Sequence, residues 1–125
     1  MSTFHIKKNP SGRFYFVFHG HESSRDDTAF SIASKSYTDR AQLEESIVQL
    51  RKFSDLSEII VKDQCLQYPC FAVREDEQHR FYFHVFGLKG DLVMTSQPFS
   101  SWEVCLEGVQ IIKKKARESK VLDLT

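Results

Sequence analysis

The segment Arg13-Phe14-Tyr15-Phe16 returns as Arg80-Phe81-Tyr82-Phe83, 67 positions later (81 minus 14). The flanks agree in kind, Phe4 with Phe71, Ile6 with Val73 and Lys7 with Arg74. A chain that writes one aromatic strand and its neighbours twice is expected to build one unit of structure twice. Within the strand Phe14, Phe16 and Phe18 fall on one side, Tyr15 and Val17 on the other. Both faces are apolar, so cover on both faces is expected.

The rest of each copy follows in the same order. Residues 4–7 alternate apolar and polar, Asn9-Pro10-Ser11-Gly12 supplies a turn, and residues 13–18 complete a hairpin. Residues 19–28 lack periodicity and read as a polar loop, with a third strand at 29–35. Thr38 reads as the N-cap of a helix that places Leu43, Ile47 and Leu50 on one face and ends near Phe53. Residues 58–62 are a β-branched run read as a fourth strand, and Pro69 closes a connector. The second copy gives strands at 71–74, 80–86 and 92–96. Its helix starts at Ser100, where Glu103 completes a capping box. Trp102, Cys105, Val109, Ile112 and Ala116 mark the buried stripe of this helix, Lys113 to Lys115 suit its negative end, and residues 121–124 answer 59–62.

From Ser34 onward the offset between copies is 62, as Ser34 with Ser96, Tyr37 with Phe99 and Ile59 with Val121 show. The first copy therefore carries five more residues (67 minus 62), all between Phe18 and Ser34. The expected organisation is one domain over 1–125, made of repeats at about 3–62 and 70–125 joined by a connector at 63–69.

Composition narrows function by exclusion. Seventeen basic and seventeen acidic side chains cancel, so the chain as a whole has no attraction for a polyanion or an anionic bilayer. Neither a signal-peptide apolar run nor a stretch near the ~18 residues of a membrane span is present, and a soluble cytoplasmic protein is expected. Cys65, Cys70 and Cys105 lack structural zinc spacing and are expected as reduced thiols. No phosphate loop, nucleophile elbow or paired-carboxylate motif appears.

Each copy reads as an aromatic-x-aliphatic strand, an aromatic strand, a Ser-x-x-aromatic step and a helix ending aliphatic-x-x-aliphatic-basic. Here these are Phe4-x-Ile6, Phe14-Tyr15-Phe16, Ser34-x-x-Tyr37 and Ile47-x-x-Leu50-Arg51, then Phe71-x-Val73, Phe81-Tyr82-Phe83, Ser96-x-x-Phe99 and Val109-x-x-Ile112-Lys113. The pattern covers nearly the whole chain and resembles the YegP-like family (the DUF1508 or UPF0339 group), small bacterial proteins without an assigned function. The resemblance implies an α+β fold of two tandem β-β-β-α-β repeats. They would share an antiparallel sheet and exchange their C-terminal strands, with helices packed on the sheet. It implies no catalytic residues.

Candidate binding positions lie on the inserted loop, at His19, His21, Arg25 and Asp26, and on the outer sheet face, at Tyr15, Tyr82 and His84. His19 and His21 with Glu22, Asp26 and Asp27 have metal-ligand chemistry, but a solvated loop accounts for them and no metal site is expected. Cys105 falls on the buried helical stripe, as core and not as a nucleophile. Aromatic strands beside basic residues also suit single-stranded nucleic acid. Neutral charge, and tyrosines where base-stacking sheets keep small residues, make nucleic acid the lesser reading. The expectation is a non-enzymatic, cofactor-free, monomeric module that binds an unidentified protein or small ligand.

Overall fold

The computed structural model describes residues 2–22, 25–61 and 64–125, with residues 21, 22 and 25–30 described by backbone alone. The strands are β1 (Thr3–Lys8), β2 (Phe14–Glu22), β3 (Arg25–Ala33), β4 (Glu58–Val61), β5 (Cys70–Glu75), β6 (Phe81–Phe86), β7 (Leu92–Thr95) and β8 (Lys120–Asp123). Helix α1 (Arg40–Phe53) precedes β4 and α2 (Trp102–Lys115) precedes β8.

These strands make two four-stranded sheets, ordered β3-β2-β1-β8 and β4-β5-β6-β7. The single antiparallel sheet expected from the resemblance is therefore corrected twice. There are two sheets, and each is mixed, because β8 runs parallel to β1 and β4 parallel to β5. A strand that returns after a helix meets the hairpin from the parallel direction, as crossover connections do. The sheets meet where Lys35 N–H donates to the Val93 carbonyl at 2.9 Å and Ser34 bridges Met94.

The repeated strands hold matched registers: Phe4 opposes Phe18 and Ile6 opposes Phe16, while Phe71 opposes Val85 and Val73 opposes Phe83. All eight side chains are buried in one core with Leu43, Ile47 and Leu50 of α1 and Cys105, Val109 and Ile112 of α2. Trp102, expected on that stripe, is only partly buried and meets Phe81 edge to face at 5.7 Å.

Four local expectations are corrected. Residues 19–22 and 25–28 are not loop, since β2 continues to Glu22 and β3 begins at Arg25 and the two pair; Ser23 and Ser24 of that reading lie outside the described residues. Backbone pairing does not need an apolar face, so a polar ribbon forms without leaving a periodic signal. The α1 N-cap is Asp39, whose carboxylate accepts from Ala41 N–H at 2.9 Å, and not Thr38. The α2 N-cap is Ser101, accepting from Val104 N–H at 3.2 Å, so Glu103 lies one position too early for a capping box. Cys65 and Cys70 are joined as a disulfide rather than reduced, their Cα atoms 6.4 Å apart and thus within bridging range. Lys62 and Asp63, in the fourth-strand and connector readings, lie outside the described residues.

Lys113 also serves a partner other than the one expected. Its ammonium donates to the carbonyls of Ser54 at 3.4 Å, Asp55 at 3.3 Å and Ser57, so it caps the end of α1 rather than of its own helix.

Candidate binding face

Both helices cover the sheet faces that carry Phe4 and Phe16 and Phe71 and Phe83, and among the described residues no helix lies on the opposite face of either sheet. This corrects the expectation of cover on both sides. Aromatic rings and aliphatic stems on the uncovered face are half-buried by one another, which limits the exposed apolar area without a third layer.

On the second sheet the face is organised by β6. Strand alternation puts Tyr82, His84 and Phe86 in one row, opposite Arg74, Ala72 and Cys70 of β5. Tyr82 meets the His84 ring at 5.2 Å, His84 meets Phe86 at 5.8 Å, and Tyr68 from the connector meets Phe86 at 5.9 Å. Ala72 is fully buried beside these rings, and a small residue there gives His84 room beside the sheet. The His84 Nδ1 lies 2.9 Å from Thr95 Oγ1. Burial, and then the nearby Arg74 charge, hold the His84 imidazole below its ordinary pKa. It is a neutral ring at pH 7, suited to stacking more than to ion pairing.

The first sheet carries a related surface. Tyr15 opposes Lys7, Val17 opposes His5 and His19 opposes Thr3. The His5 and His19 rings are 4.4 Å apart; Thr3 Oγ1 lies 3.1 Å from His5 Nε2, and Ser31 Oγ lies 2.8 Å from His19 Nδ1. Tyr15 and His19 thus lie on the outer face of the first sheet, as Tyr82 and His84 lie on that of the second. The side chains of His21, Arg25 and Asp26, the other candidate positions, lie outside the described residues, although their backbone continues the β2–β3 ribbon. Among the described residues no three His, Cys, Asp or Glu side chains converge as a metal group.

Sequence reasoning missed Arg74, Phe86, Tyr68, His5 and Lys7 as members of this face. The match of Lys7 with Arg74 between the copies was the available signal, because each stands opposite the central tyrosine of the repeated strand. By ladder register Lys7 and Lys120 lie on the outer face of the first sheet and Arg74 and Glu58 on that of the second, where the Asp76 carboxylate pairs with Arg80 at 3.1 Å in the turn next to Arg74.

The interior offers less. A cavity between α1 and the second sheet, lined by Ser46, Leu50, Ser54 and Phe71 among others, has a volume of about 10 Å³, room for one water at most. A polar recess of about 190 Å³ at the seam is lined by Lys35, Tyr37, Glu45, Gln49 and Asp91. It is below the ~300 Å³ at which ligand pockets begin. Cys105 is fully buried, and desolvation raises its thiol to about 11, which removes it as a nucleophile at neutral pH. No helix among the described residues is long and apolar enough to cross a membrane.

No family model matches the sequence, and no curated protein does. Two solution structures are similar over nearly the whole chain. One is the protein of unknown function YegP from E. coli, with 17% identity, a TM-score of 0.73, and coverage of 99% of this chain and 93% of that one. The other is a UPF0339 protein from Shewanella oneidensis, with 17% identity, a TM-score of 0.76, and coverage of 99% and 92%. The fold that the paired strand motifs bring to mind is thus the fold found, and this chain shares the architecture of YegP and of the Shewanella UPF0339 protein.

Proposed function

We propose that this chain is a non-enzymatic binding module whose working surface is the uncovered sheet face. The observation that carries this reading is the row Tyr82, His84 and Phe86, half-buried on a face that no helix covers and flanked by Arg74. Aromatic and arginine side chains on an open, rigid sheet are what binding surfaces are enriched in.

The same reading takes the two halves as tandem copies that exchange their last strands. The 62-residue offset relates Ile59 to Val121, and each of these strands lies parallel to the first strand of the other half. With both copies in one chain the exchange is satisfied internally, so the protein is a monomer by this reading. Light scattering at micromolar concentration tests the first point; a stable dimer mass overturns it.

Affinity capture from the native host at physiological salt, with wild-type and Tyr82→Ala/Arg74→Gln baits side by side, tests the surface. A protein or small ligand retained by the wild type and lost by the variant supports this reading. Equal retention by both baits refutes it.

A further inference from the structure

We infer that the Cys65–Cys70 disulfide is a reversible exchange site, opened by a low-molecular-weight thiol that attacks Cys65, and that opening it releases Tyr68 of the connector from Phe86. This site does not depend on the outer face being a binding surface.

The two sulfurs differ in access. Cys70 is 1% exposed and fixed in the sheet, opposite Glu58 of β4 and Phe86 of β6, whereas Cys65 is partly exposed on the connector. A thiolate arriving from solution therefore meets the Cys65 sulfur, and accessible disulfides are the ones that exchange.

Little of the fold hangs on the bond. Stabilisation by a cross-link grows with the loop it closes, and this one spans a sequence separation of 5. Cys70 keeps its place through the ladders on either side of it. In the first half the matched position, 67 residues earlier (70 minus 67), is Thr3 at the start of β1, so such a strand begins equally well without a cysteine.

The connector, by contrast, depends on the bond. Among the described residues 64–69 make no hydrogen bond. Besides the disulfide, the segment is held by Pro69 against the end of the core and by the Tyr68 ring. That ring meets Phe86 at 5.9 Å and lies so close over the β6–β7 turn that a Cβ added at Gly90 would stand 3.1 Å from it. Leu66, 89% exposed, adds no packing. With the bond open, one ring contact is too weak to offset the backbone entropy of ordering the segment, and Phe86 loses its cover.

The chemistry balances as thiol–disulfide exchange. The external thiolate bonds to Cys65 Sγ, the Cys65–Cys70 bond breaks, and its electron pair leaves on Cys70 Sγ, which takes a proton from water. A second thiolate then attacks the external sulfur of the mixed disulfide, which frees Cys65 and carries the small thiol away as its own disulfide. Two small thiols are oxidised and the protein disulfide is reduced; the small disulfide reverses both steps. Cys105, fully buried on α2, takes no part.

Glutathione is the probe. The intact protein is equilibrated in glutathione buffers swept between fully reduced and fully oxidised, from both directions, and its thiols are counted by mass after alkylation in denaturant. One reversible transition is expected, between a single thiol, Cys105, and all three. Oxidised glutathione should leave its adduct on Cys65 in Cys70→Ser, and native Cys70 should stay unmodified in Cys65→Ser. In the wild type, nuclear Overhauser contacts from the Tyr68 ring to Phe86 and Gly90 should be present when oxidised and lost when reduced. The contact of Tyr82 with His84 and a cooperative melt should survive reduction. A bond that fully reduced glutathione leaves closed, three thiols in every buffer, or an adduct on Cys70 would each overturn the inference. So would Tyr68 contacts that outlast reduction, or loss of the cooperative melt once the bond is open.

Discussion

Arg40, in the first turn of α1, pairs with the carboxylate of Asp123 in β8, a residue 83 positions further along the chain. The contact joins the helix of the first half to the strand that follows the helix of the second. β8 otherwise holds its place through the backbone: all four of its side chains are exposed, and its ladder to β1 runs from Thr3↔Lys120 to Ile6↔Asp123. Leu124 N–H extends the ladder by donating to the Ile6 carbonyl at 2.9 Å.

A chain ending at Ser119 should therefore melt several degrees below the intact protein, because β1 becomes an edge strand over Phe4 and Ile6. In the intact chain the β8 amides bonded to β1 should exchange slowly. Hydrogen exchange at Val121 and Leu122 checks this; unprotected rates together with an unchanged melt would remove β8 from the fold's support.

Asp123 should give the protein an acid limb. Hydrogen bonds from Thr125 and then Arg40 hold its carboxyl at about 2 in the folded state, against ~3.9 when unfolded. A depressed pKa contributes stability that is complete above the unfolded value and is lost as pH falls from about 4 through about 2. Asp123→Asn should lower the melting temperature at pH 6 slightly and leave it almost equal to wild type at pH 2. Parallel acid limbs for the two proteins would show that this carboxylate carries no folding linkage.

Phe16 and Phe83 are matched core residues, each with no exposed surface. Replacing either with Ala should cost about 3 to 5 kcal/mol. Denaturant midpoints decide it. A loss below about 1 kcal/mol, the scale of surface substitutions, would take that side chain out of the core.

The paired serines should be equivalent in bonding but not in cost. Ser34 Oγ accepts from Phe16 N–H and Ser96 Oγ from Phe83 N–H, both at 3.0 Å, and each hydroxyl donates to the next residue's carbonyl. Ser96 is buried and Ser34 is not. Ser96→Ala should cost about 1 to 3 kcal/mol by leaving a buried N–H unmet, and Ser34→Ala less, since water can replace the lost group. Equal losses in urea unfolding would contradict the burial argument.

Lys113→Met should loosen the end of α1 rather than that of α2. It removes the donor to the Ser54, Asp55 and Ser57 carbonyls, at about 1 to 2 kcal/mol by the scale of cation contacts at helix termini. Faster amide exchange at residues 54–57 with little change at 116–119 is the expected pattern; the reverse would assign Lys113 to its own helix.

Much of the fold is legible without a structure because it rests on local periodicity. Phe14, Phe16 and Phe18 alternate, Leu43, Ile47 and Leu50 repeat at helical spacing, and the return of Val121 and Leu122 after a charged stretch marks a last strand. The offsets of 67 and 62 locate the inserted residues as well. Periodicity reports burial, however, and goes silent where backbone pairs without burying side chains. For that reason the β2–β3 ribbon read as loop, and Asp39 and Ser101, one position from the residues expected, could be told apart only by their hydrogen bonds.

The sequence by itself determined the number and kind of elements, the core aromatics, and Tyr15, Tyr82 and His84 as outer-face residues. Tertiary structure alone decided that the strands split into two mixed sheets, that both helices choose the same side, and that Cys65 reaches Cys70. It also decided which charges stand beside which rings. Net charge is a sum over the chain, whereas a binding surface depends on cross-strand register, and register placed Arg74 opposite Tyr82 and Lys7 opposite Tyr15. Alternation in sequence assigns a residue to a face; only pairing between distant strands assigns its neighbours.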